Sequence, residues 1–318
     1  MRAVVVESGK AVVKDVPAPR AASGEVLIQV SLAGICGTDL EILKGYGDFR
    51  AILGHEFVGT VVEGSATLSG KRVVGEINCV CGRCDMCSSG LSSHCRRRTV
   101  AGIQGRDGAF AEYIVLPERN CHVVPDAVTD NEAVFAEPLA AAYQVVRQIK
   151  IEPKMNVAVL GTGRLGLLVA QVLAQFGAKL ICVGRNRRTL DFLDRRGIRT
   201  SGLNDFSSWG EFDVVVECTG QPEGLQVALR TVRPRGTIVL KTTCRPSLEI
   251  DLAPLVINEI TVVGSRCGPF GEALNALARK QIEVASLVSR QVPLSEAAGA
   301  FQMAEDPQNI KVLLDCRA

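Results

Sequence analysis

Residues 155–166 read MNVAVLGTGRLG, an apolar stretch that runs into a turn with three glycines. The six residues before the first glycine predict a buried strand, and residues 164–176 predict an amphipathic helix. A G-x-G-x-x-G turn between a strand and a helix is the arrangement that binds the pyrophosphate of a dinucleotide. Gly161 would form the turn, Gly163 would let the pyrophosphate approach the backbone, and Gly166 would allow the helix to pack closely on the strand. The stretch therefore predicts a dinucleotide site rather than a turn that serves packing alone.

The strand that follows this helix indicates the type of dinucleotide. In many such domains it ends, about 20 residues after the glycines, in an Asp or Glu that binds the adenosine ribose 2′-hydroxyl. Here residues 180–188 read LICVGRNRR, without a carboxylate. Arginine forms charge-assisted hydrogen bonds with a phosphate, which a carboxylate would repel. Gly184, Arg185 and Arg188 therefore favour NADP(H) over NAD(H), unless the arginines form only a solvated helix face.

Composition places the chain among folded proteins and gives no signal for a nucleic-acid or membrane partner. The 318 residues are enough for two domains, and 47% are hydrophobic against 22% charged. A net charge of +2 does not favour binding to nucleic acid or to an anionic membrane. No apolar run reaches the roughly 18 residues of a membrane span, and residues 1–10, MRAVVVESGK, lack the apolar core of a signal peptide. We therefore expect a cytoplasmic protein that acts on a small molecule.

The chain divides into two parts with different patterns. Residues 1–130 read as short β segments broken by Gly and Pro, the pattern of a small β-barrel or sandwich. From about residue 138, strands alternate with helices, which is typical of an α/β fold with a doubly wound parallel sheet. We expect one domain at residues 1–137, to which residues 267–318 return, and a Rossmann domain at residues 138–266.

Four of the twelve cysteines follow the spacing C-x2-C-x2-C-x7-C, at Cys81, Cys84, Cys87 and Cys95. Thiolates at this spacing can converge on one tetrahedral ion. Disulfides and an iron–sulfur cluster are the alternatives, but the bacterial ferredoxin run places its last Cys after three residues and follows it with Pro. Here seven residues intervene and Arg96 follows, which favours zinc. Four thiolates leave no open coordination position, so the pattern predicts a structural site.

Three more short segments carry side chains of the metal-ligand type. They are GICGTD at residues 34–39, GHEFVG at residues 54–59 and FAEPL at residues 135–139. Each segment alone could be structural. Together with the cysteines and the glycine turn, in this order, they resemble the zinc-dependent medium-chain dehydrogenase/reductase family over essentially the whole chain. The combination of Cys, His and Glu is most similar to the polyol and threonine dehydrogenase branch.

The resemblance implies a GroES-like β-barrel catalytic domain that contains a catalytic zinc, beside the Rossmann domain. Cys36 and His55 match the zinc ligands of the family, and Glu137 matches a third ligand that binds directly or through water. Glu56 matches a carboxylate beside the zinc that can exchange with solvent as a ligand. Three protein ligands leave one position open for a substrate oxygen.

The same resemblance implies roles for further residues. Thr38 matches the hydroxyl that takes the substrate proton, and Asp39 would orient His55. Many relatives have a relay histidine where this chain has Glu41, so the relay would use Glu41, water or the ribose hydroxyls. The implied dinucleotide contacts are Gly161, Gly163, Arg164, Leu165, Gly166, Gly184, Arg185, Arg188, Thr219 and Gly220.

The resemblance therefore implies reversible oxidation of a secondary alcohol or polyol to a ketone by a homodimer or homotetramer with one catalytic and one structural zinc per chain. Residues 184–188 favour NADP(H) as the dinucleotide in this reaction. A zinc-independent quinone or enone reductase on the same fold is one alternative, which the presence of Cys36, His55 and Glu137 opposes. The other alternative is a protein that senses NADPH without chemistry, which the same ligands and Thr38 oppose.

Overall fold

A computed structural model describes residues 1–45, 49, 51–206, 211–243 and 249–318. These residues form two compact units. The first comprises Met1–Glu137 together with Phe270–Ala318, and the second comprises Pro138–Pro269.

Short strands dominate the chain up to Val123, and strands alternate with helices between α4 and β16. The strands are β1 (Arg2–Glu7), β2 (Lys10–Asp15), β3 (Glu25–Gly34), β4 (Glu56–Glu63), β5 (Arg72–Gly75), β6 (Asn78–Cys79), β7 (Thr99–Ala101), β8 (Gly105–Arg106), β9 (Tyr113–Pro117), β10 (Cys121–Val123), β11 (Asn156–Leu160), β12 (Lys179–Gly184), β13 (Arg199–Gly202), β14 (Phe212–Glu217), β15 (Val232–Leu240), β16 (Thr261–Gly264), β17 (Val288–Pro293) and β18 (Lys311–Asp315). The helices are α1 (Gly37–Leu43), α2 (Asp85–Ser88), α3 (Asp130–Ala133), α4 (Ala136–Gln148), α5 (Arg164–Ala174), α6 (Arg187–Asp194), α7 (Leu203–Phe206), α8 (Glu223–Thr231), α9 (Ala253–Ile257), α10 (Phe270–Ala278) and α11 (Ala297–Glu305). Within the described ranges, no helix combines the length and the apolar composition that crossing a membrane requires.

The first unit is built on a sheet with the strand order β10-β5-β4-β3-β18-β17, and β9 also pairs with β3. In the first half of β3, the fully buried Val26, Ile28 and Val30 alternate with less buried residues, as a strand does when one face lies on the core. The last strand, β18, runs antiparallel to β3, so the end of the chain lies beside its first long strand. This arrangement places residues from both ends of the sequence next to each other.

The second unit contains a parallel sheet with the order β13-β12-β11-β14-β15-β16. Counted along the unit, this is the order 3-2-1-4-5-6 of a doubly wound dinucleotide-binding domain. In β11, Val157, Ala158 and Val159 are fully buried, as expected for a strand covered on both faces. The strand order reverses between β11 and β14, and ligands of such sheets bind beyond the carboxyl ends of the strands at this point.

The β16 edge of this sheet is apolar and exposed. Val262 in β16 is 41% exposed, and Val256 and Ile257 in α9 are 78% and 77% exposed. An edge strand also presents unpaired backbone N–H and C=O groups. We refer to strand β16 together with Val256 and Ile257 of α9 as the β16 edge.

Candidate functional site

The end of β3 leads into a turn that gathers three side chains of the GICGTD segment. Cys36 precedes α1, and its backbone N–H donates a 2.8 Å hydrogen bond to Oδ2 of the fully buried Asp39. This bond closes the first turn of the helix and fixes the direction of the thiol. Oγ1 of Thr38, in the same turn, lies 3.9 Å from Sγ of Cys36. The thiol and the hydroxyl are therefore neighbours.

The start of β4 brings two more side chains to the Cys36 thiol. Glu56 is the first residue of β4 and pairs with Gly34 at the end of β3, and His55 directly precedes it. The ligand atoms of Cys36, His55 and Glu56 all lie within 4.8 Å of one another. We call these three residues the first donor group.

Asp39 orients the imidazole of His55. Its Oδ1 lies 3.3 Å from Nδ1 of His55, and both side chains are buried. Because Nδ1 faces the carboxylate, Nε2 is the ring nitrogen available to a metal. Burial opposes protonation of the ring, but the charges of Asp39 and Cys36 outweigh it and raise the pKa of His55 well above its usual value. The site therefore favours a cation at this ring.

Glu56 forms a buried ion pair with Lys311 of β18. The Glu56 side chain is 1% exposed, and the Lys311 side chain is 2% exposed. The Lys311 Nζ also lies 3.4 Å from the carbonyl oxygen of Ile35 and 5.6 Å from the centre of the Phe135 ring. A Cβ on Gly34 would come within 2.9 Å of Glu56 Oε2 and 3.3 Å of Lys311 Cδ, so glycine makes room for the pair. Lys311 could not be predicted from the sequence, because nothing local in KVLLD connects it with Glu56.

Glu137 is not part of the first donor group, but the charges of His55 and Glu56 act on its carboxyl. It is the second residue of α4 and is half-buried. Burial raises the pKa of Glu137 to about 7; the charge of His55 opposes this rise, and the charges of Glu56 and Glu76 add to it. A cation in the first donor group would favour the ionised form of this carboxyl.

Glu41, the predicted alternative relay residue, lies on α1 and takes part in a different interaction. Its carboxylate accepts a 3.1 Å hydrogen bond from Nζ of Lys44, one turn further along the chain. Its carboxylate does not belong to the first donor group. Thr38 is thus placed beside the Cys36 thiol, while Glu41 is held by a lysine.

The first donor group fits a zinc ion of the open, catalytic type. Thiolate sulfur, imidazole nitrogen and carboxylate oxygen are the donors that zinc takes, and three protein ligands leave a position for water or substrate. The contact of His55 with Asp39 is the one that metal-binding histidines make with a carboxylate.

A second group brings together the four regularly spaced cysteines. The Sγ atoms of Cys81, Cys84, Cys87 and Cys95 lie within 4.8 Å of one another. Three of the Sγ–Sγ distances are 3.5, 3.6 and 3.8 Å. Four sulfurs at about 2.3 Å from a tetrahedral zinc lie about 3.8 Å apart. The group therefore fits a closed zinc site.

Backbone N–H groups around this second group favour thiolates. The N–H of Cys81 points at Sγ of Cys95, 3.4 Å away. Hydrogen bonds from the N–H groups of Cys87 and Arg96 lower the pKa of Cys84 to about 6. Since zinc binds the thiolate and not the thiol, these bonds prepare the loop for the metal.

In the second unit, the three glycines of the GTGRLG turn each meet a different steric requirement. Gly161 has a φ of +95°, and a Cβ on it would lie 2.7 Å from the carbonyl oxygen of Cys218. A Cβ on Gly163 would have no heavy atom within 4 Å, so its backbone is open to a ligand. A Cβ on Gly166 would lie 1.9 Å from the carbonyl oxygen of Gly161. A dinucleotide-binding turn requires a tight turn at the first glycine, close approach of the pyrophosphate to the backbone at the second, and close packing of the helix on the strand at the third.

Four other residues predicted for this site lie near the same turn or after β14. Arg164 and Leu165 are the first residues of α5 and are half-buried. Thr219 and Gly220 follow β14. Gly220 has a φ of +70°, and its N–H donates a 2.9 Å hydrogen bond to Oγ1 of Thr242.

Gly184 has a packing role that the sequence did not indicate. A Cβ there would lie 2.1 Å from Oγ1 of Thr162, which is hydrogen-bonded to Oγ1 of Thr189 at 2.8 Å. The missing carboxylate at this position is therefore enforced by packing and is not by itself evidence for a phosphate. Arg185, the next residue, is exposed, as is Arg188 on α6.

Two family models together match most of the chain. The alcohol dehydrogenase GroES-like domain family matches residues 22–126, and the glucose dehydrogenase C-terminus family matches residues 129–316. The chain belongs to the zinc-dependent medium-chain dehydrogenase/reductase family. The predictions of family, fold class and enzyme class are confirmed.

Individual relatives extend over nearly the whole chain. The sorbitol dehydrogenase of Halalkalibacterium halodurans is 29% identical, with 96% of both chains covered. A putative zinc-binding dehydrogenase from Sinorhizobium meliloti, bound to NADP, is 30% identical with a TM-score of 0.90, covering 99% of this chain and 98% of that one. An alcohol dehydrogenase from E. coli CFT073, complexed with NADH, is 27% identical with a TM-score of 0.90 and 99% of both chains covered.

We expect Cys36→Ser and Cys84→Ser to have different effects, because the first donor group is open and the cysteine group is closed. Cys36→Ser should lower dehydrogenase activity by at least about 100-fold while the protein stays folded. Cys84→Ser should lower the melting temperature by removing a ligand of a structural metal. Activity, thermal melts and zinc content check both variants, with Cys267→Ser, outside both groups, as a neutral control. Equal loss of folding in the two variants would contradict the division between the sites.

We expect Lys311→Met to destabilise the protein by about 3–5 kcal/mol, because the buried Glu56 carboxylate loses its partner. Urea unfolding at equal zinc content measures the change. Adding Glu56→Gln to the same variant should recover most of the stability, since the uncompensated charge is then removed as well. A single variant as stable as the parent would show that the pair is not a buried charge pair.

Proposed function

We propose that this enzyme interconverts a secondary alcohol or polyol and the corresponding ketone with zinc and a nicotinamide dinucleotide. The observation that carries the proposal is that one chain combines the first donor group with a glycine turn at the switch point of a Rossmann-ordered sheet. Bound zinc would supply a Lewis acid for the substrate oxygen, and the nicotinamide would take up or release the hydride.

In this proposal the residues in and around the first donor group bind the catalytic zinc, orient its ligands or transfer the substrate proton. Cys36 and His55 hold the metal, and Glu137, whose carboxylate lies outside the first donor group, is a third ligand that binds directly or through water. Glu56 is a carboxylate that can exchange with solvent as a ligand, and Asp39 keeps Nε2 of His55 directed at the metal. The four-cysteine group would hold the second, structural zinc.

Thr38 is the residue that we propose takes the proton of the substrate hydroxyl. Its position 3.9 Å from the Cys36 sulfur supports this, because a substrate oxygen at the metal would lie close to the same sulfur. From Thr38 the proton must reach solvent. Glu41 is on the same helix, but its hydrogen bond from Lys44 competes with proton transfer, so water and the ribose hydroxyls are the simpler route.

The substrate class follows from the ligand set and from the relatives. The sorbitol dehydrogenase of H. halodurans acts on a polyol, as its name states, and covers 96% of this chain. A screen of polyols, secondary alcohols and primary alcohols with either dinucleotide tests the proposal. We expect turnover with a polyol or secondary alcohol that is lost on chelation of zinc. Enone reduction that survives chelation would indicate a zinc-independent reductase, and dinucleotide binding without turnover would indicate a sensor.

We propose that the dinucleotide is NADP(H), and Arg185 is the residue that supports this. It is exposed and directly follows β12, where the adenosine ribose of a bound dinucleotide would lie. A hydrogen bond between a guanidinium and a phosphate contributes about 1.5–3 kcal/mol. With one such bond, kcat/KM for NADP would exceed that for NAD by about 10- to 100-fold.

Arg185→Asp should reverse this preference, because a carboxylate repels the 2′-phosphate and accepts a hydrogen bond from the 2′-hydroxyl. The measurement is kcat/KM for both dinucleotides. Arg187→Ala serves as control, since Arg187 pairs with Asp191 at 2.8 Å, and it should leave the ratio unchanged. A substitution of Gly184 is unsuitable, because a Cβ there would meet Thr162. A parent enzyme that uses NAD and NADP equally well would contradict the role of Arg185.

We propose that the chain forms a homodimer, or a homotetramer built from such dimers, through the β16 edge. Two uncharged, apolar edge strands related by a two-fold axis can pair antiparallel and bury their exposed valines. Val256→Asp should therefore shift the protein to a smaller species in size-exclusion chromatography with light scattering. Val62→Asp, at an exposed valine of the first unit, should have no such effect. A parent that is monomeric would show the proposal to be wrong.

A further inference from the structure

Glu217 is a buried carboxylate that neither the motifs nor the proposed chemistry uses. It ends β14, and its side chain is fully buried. Its Oε1 accepts hydrogen bonds from the backbone N–H and from Oγ1 of Thr219, at 2.7 and 2.5 Å. In the part of the chain that the structure describes, Oε2 has no hydrogen-bond partner. One oxygen of the Glu217 carboxylate thus accepts both of its hydrogen bonds from Thr219.

These hydrogen bonds define the turn after β14. Oγ1 of Thr219 also accepts a 3.1 Å hydrogen bond from the N–H of Gln221, so the hydroxyl links the carboxylate to the far side of the turn. A Cβ on Gly224, in the first turn of α8, would lie 2.3 Å from Oε1 of Glu217 and 2.3 Å from Oγ1 of Thr219. The turn is therefore fixed between the carboxylate and the helix that follows.

The same turn packs directly on the glycine turn. A Cβ on Gly161 would lie 2.7 Å from the carbonyl oxygen of Cys218 and 2.8 Å from Cα of Thr219. The N–H of Cys218 donates a 2.8 Å hydrogen bond to the carbonyl oxygen of Leu160. Because the two turns touch through backbone atoms, a shift of one displaces the other.

We propose that Glu217 is a positioning residue for dinucleotide binding: it holds residues 218–220 as the wall that fixes the glycine turn. The inference rests on the proposed function, since it takes this glycine turn to bind a nicotinamide dinucleotide. A fully buried side chain cannot touch the ligand, so Glu217 acts through Thr219. A buried carboxylate is also a costly way to stabilise a turn, and an apolar side chain of similar volume would stabilise the fold at least as well.

The test compares Glu217→Leu, which removes the acceptor at similar volume, with the conservative Glu217→Gln, in the full-length zinc-loaded enzyme. Titration calorimetry with NADPH and with NADH gives the dissociation constants without relying on turnover. We expect Glu217→Leu to bind about 10-fold more weakly, and Glu217→Gln to stay within about 3-fold of the parent. Hydrogen exchange in residues 217–222 should be faster in Glu217→Leu, while its melting temperature stays at or above that of the parent.

A second variant keeps the test decisive if Glu217→Leu does not fold. Thr219→Val removes the hydroxyl that Glu217 binds, so it should weaken binding and also speed hydrogen exchange in residues 217–222 of the ligand-free enzyme, whereas loss of a direct ligand contact would weaken binding alone. Unchanged affinity in Glu217→Leu, or weaker binding without faster exchange in Thr219→Val, would overturn the inference. A lower melting temperature without loss of affinity would overturn it too, because Glu217 would then serve stability alone. A parent that binds neither dinucleotide would instead contradict the proposed function, and this inference with it.

Discussion

The close pairing of β3 with β4 at Gly34 is the constraint on which the first site depends. Gly34 lies opposite Glu56, and the space that a side chain would need there is filled by Glu56, Val134 and Lys311. That space holds a buried ion pair directly beside the sulfur and nitrogen donors. The donor group is therefore held by paired strands, with Cys36 two residues beyond the end of the pairing, and not by a free loop.

The second unit shows the same dependence on close backbone approach. Gly161, Gly184 and Gly224 each lie where a Cβ would meet another segment, respectively Cys218, Thr162 and the Glu217 carboxylate. These contacts join the carboxyl ends of β11, β12 and β14, the three strands around the switch point. Chemistry that depends on placing a hydride donor and acceptor accurately benefits from a scaffold with so little freedom.

The sequence allowed prediction of those features whose physical cause is local. The cysteine spacing indicated a tetrahedral group, and the order of strand, glycines and helix indicated the dinucleotide turn, since each motif carries its own geometry. It could not indicate that Lys311 pairs with Glu56, because that contact depends on β18 lying beside β3. For the same reason the sequence could not show that packing explains the missing carboxylate at Gly184, since Thr162 excludes a side chain there only in the folded chain. Glu217 was missed because its partner forms a turn only in the folded chain.

The open first donor group and the closed four-cysteine group should hold zinc in two different environments. Zinc K-edge X-ray absorption on the purified enzyme, combined with metal analysis before and after mild chelation, distinguishes them. We expect two zinc ions per chain and a spectrum with mixed sulfur, nitrogen and oxygen scattering. Chelation should remove one zinc together with the activity and leave a spectrum of sulfur ligands alone. A single zinc per chain, or mixed scattering that persists after activity is lost, would show that the two groups do not divide into an open and a closed site.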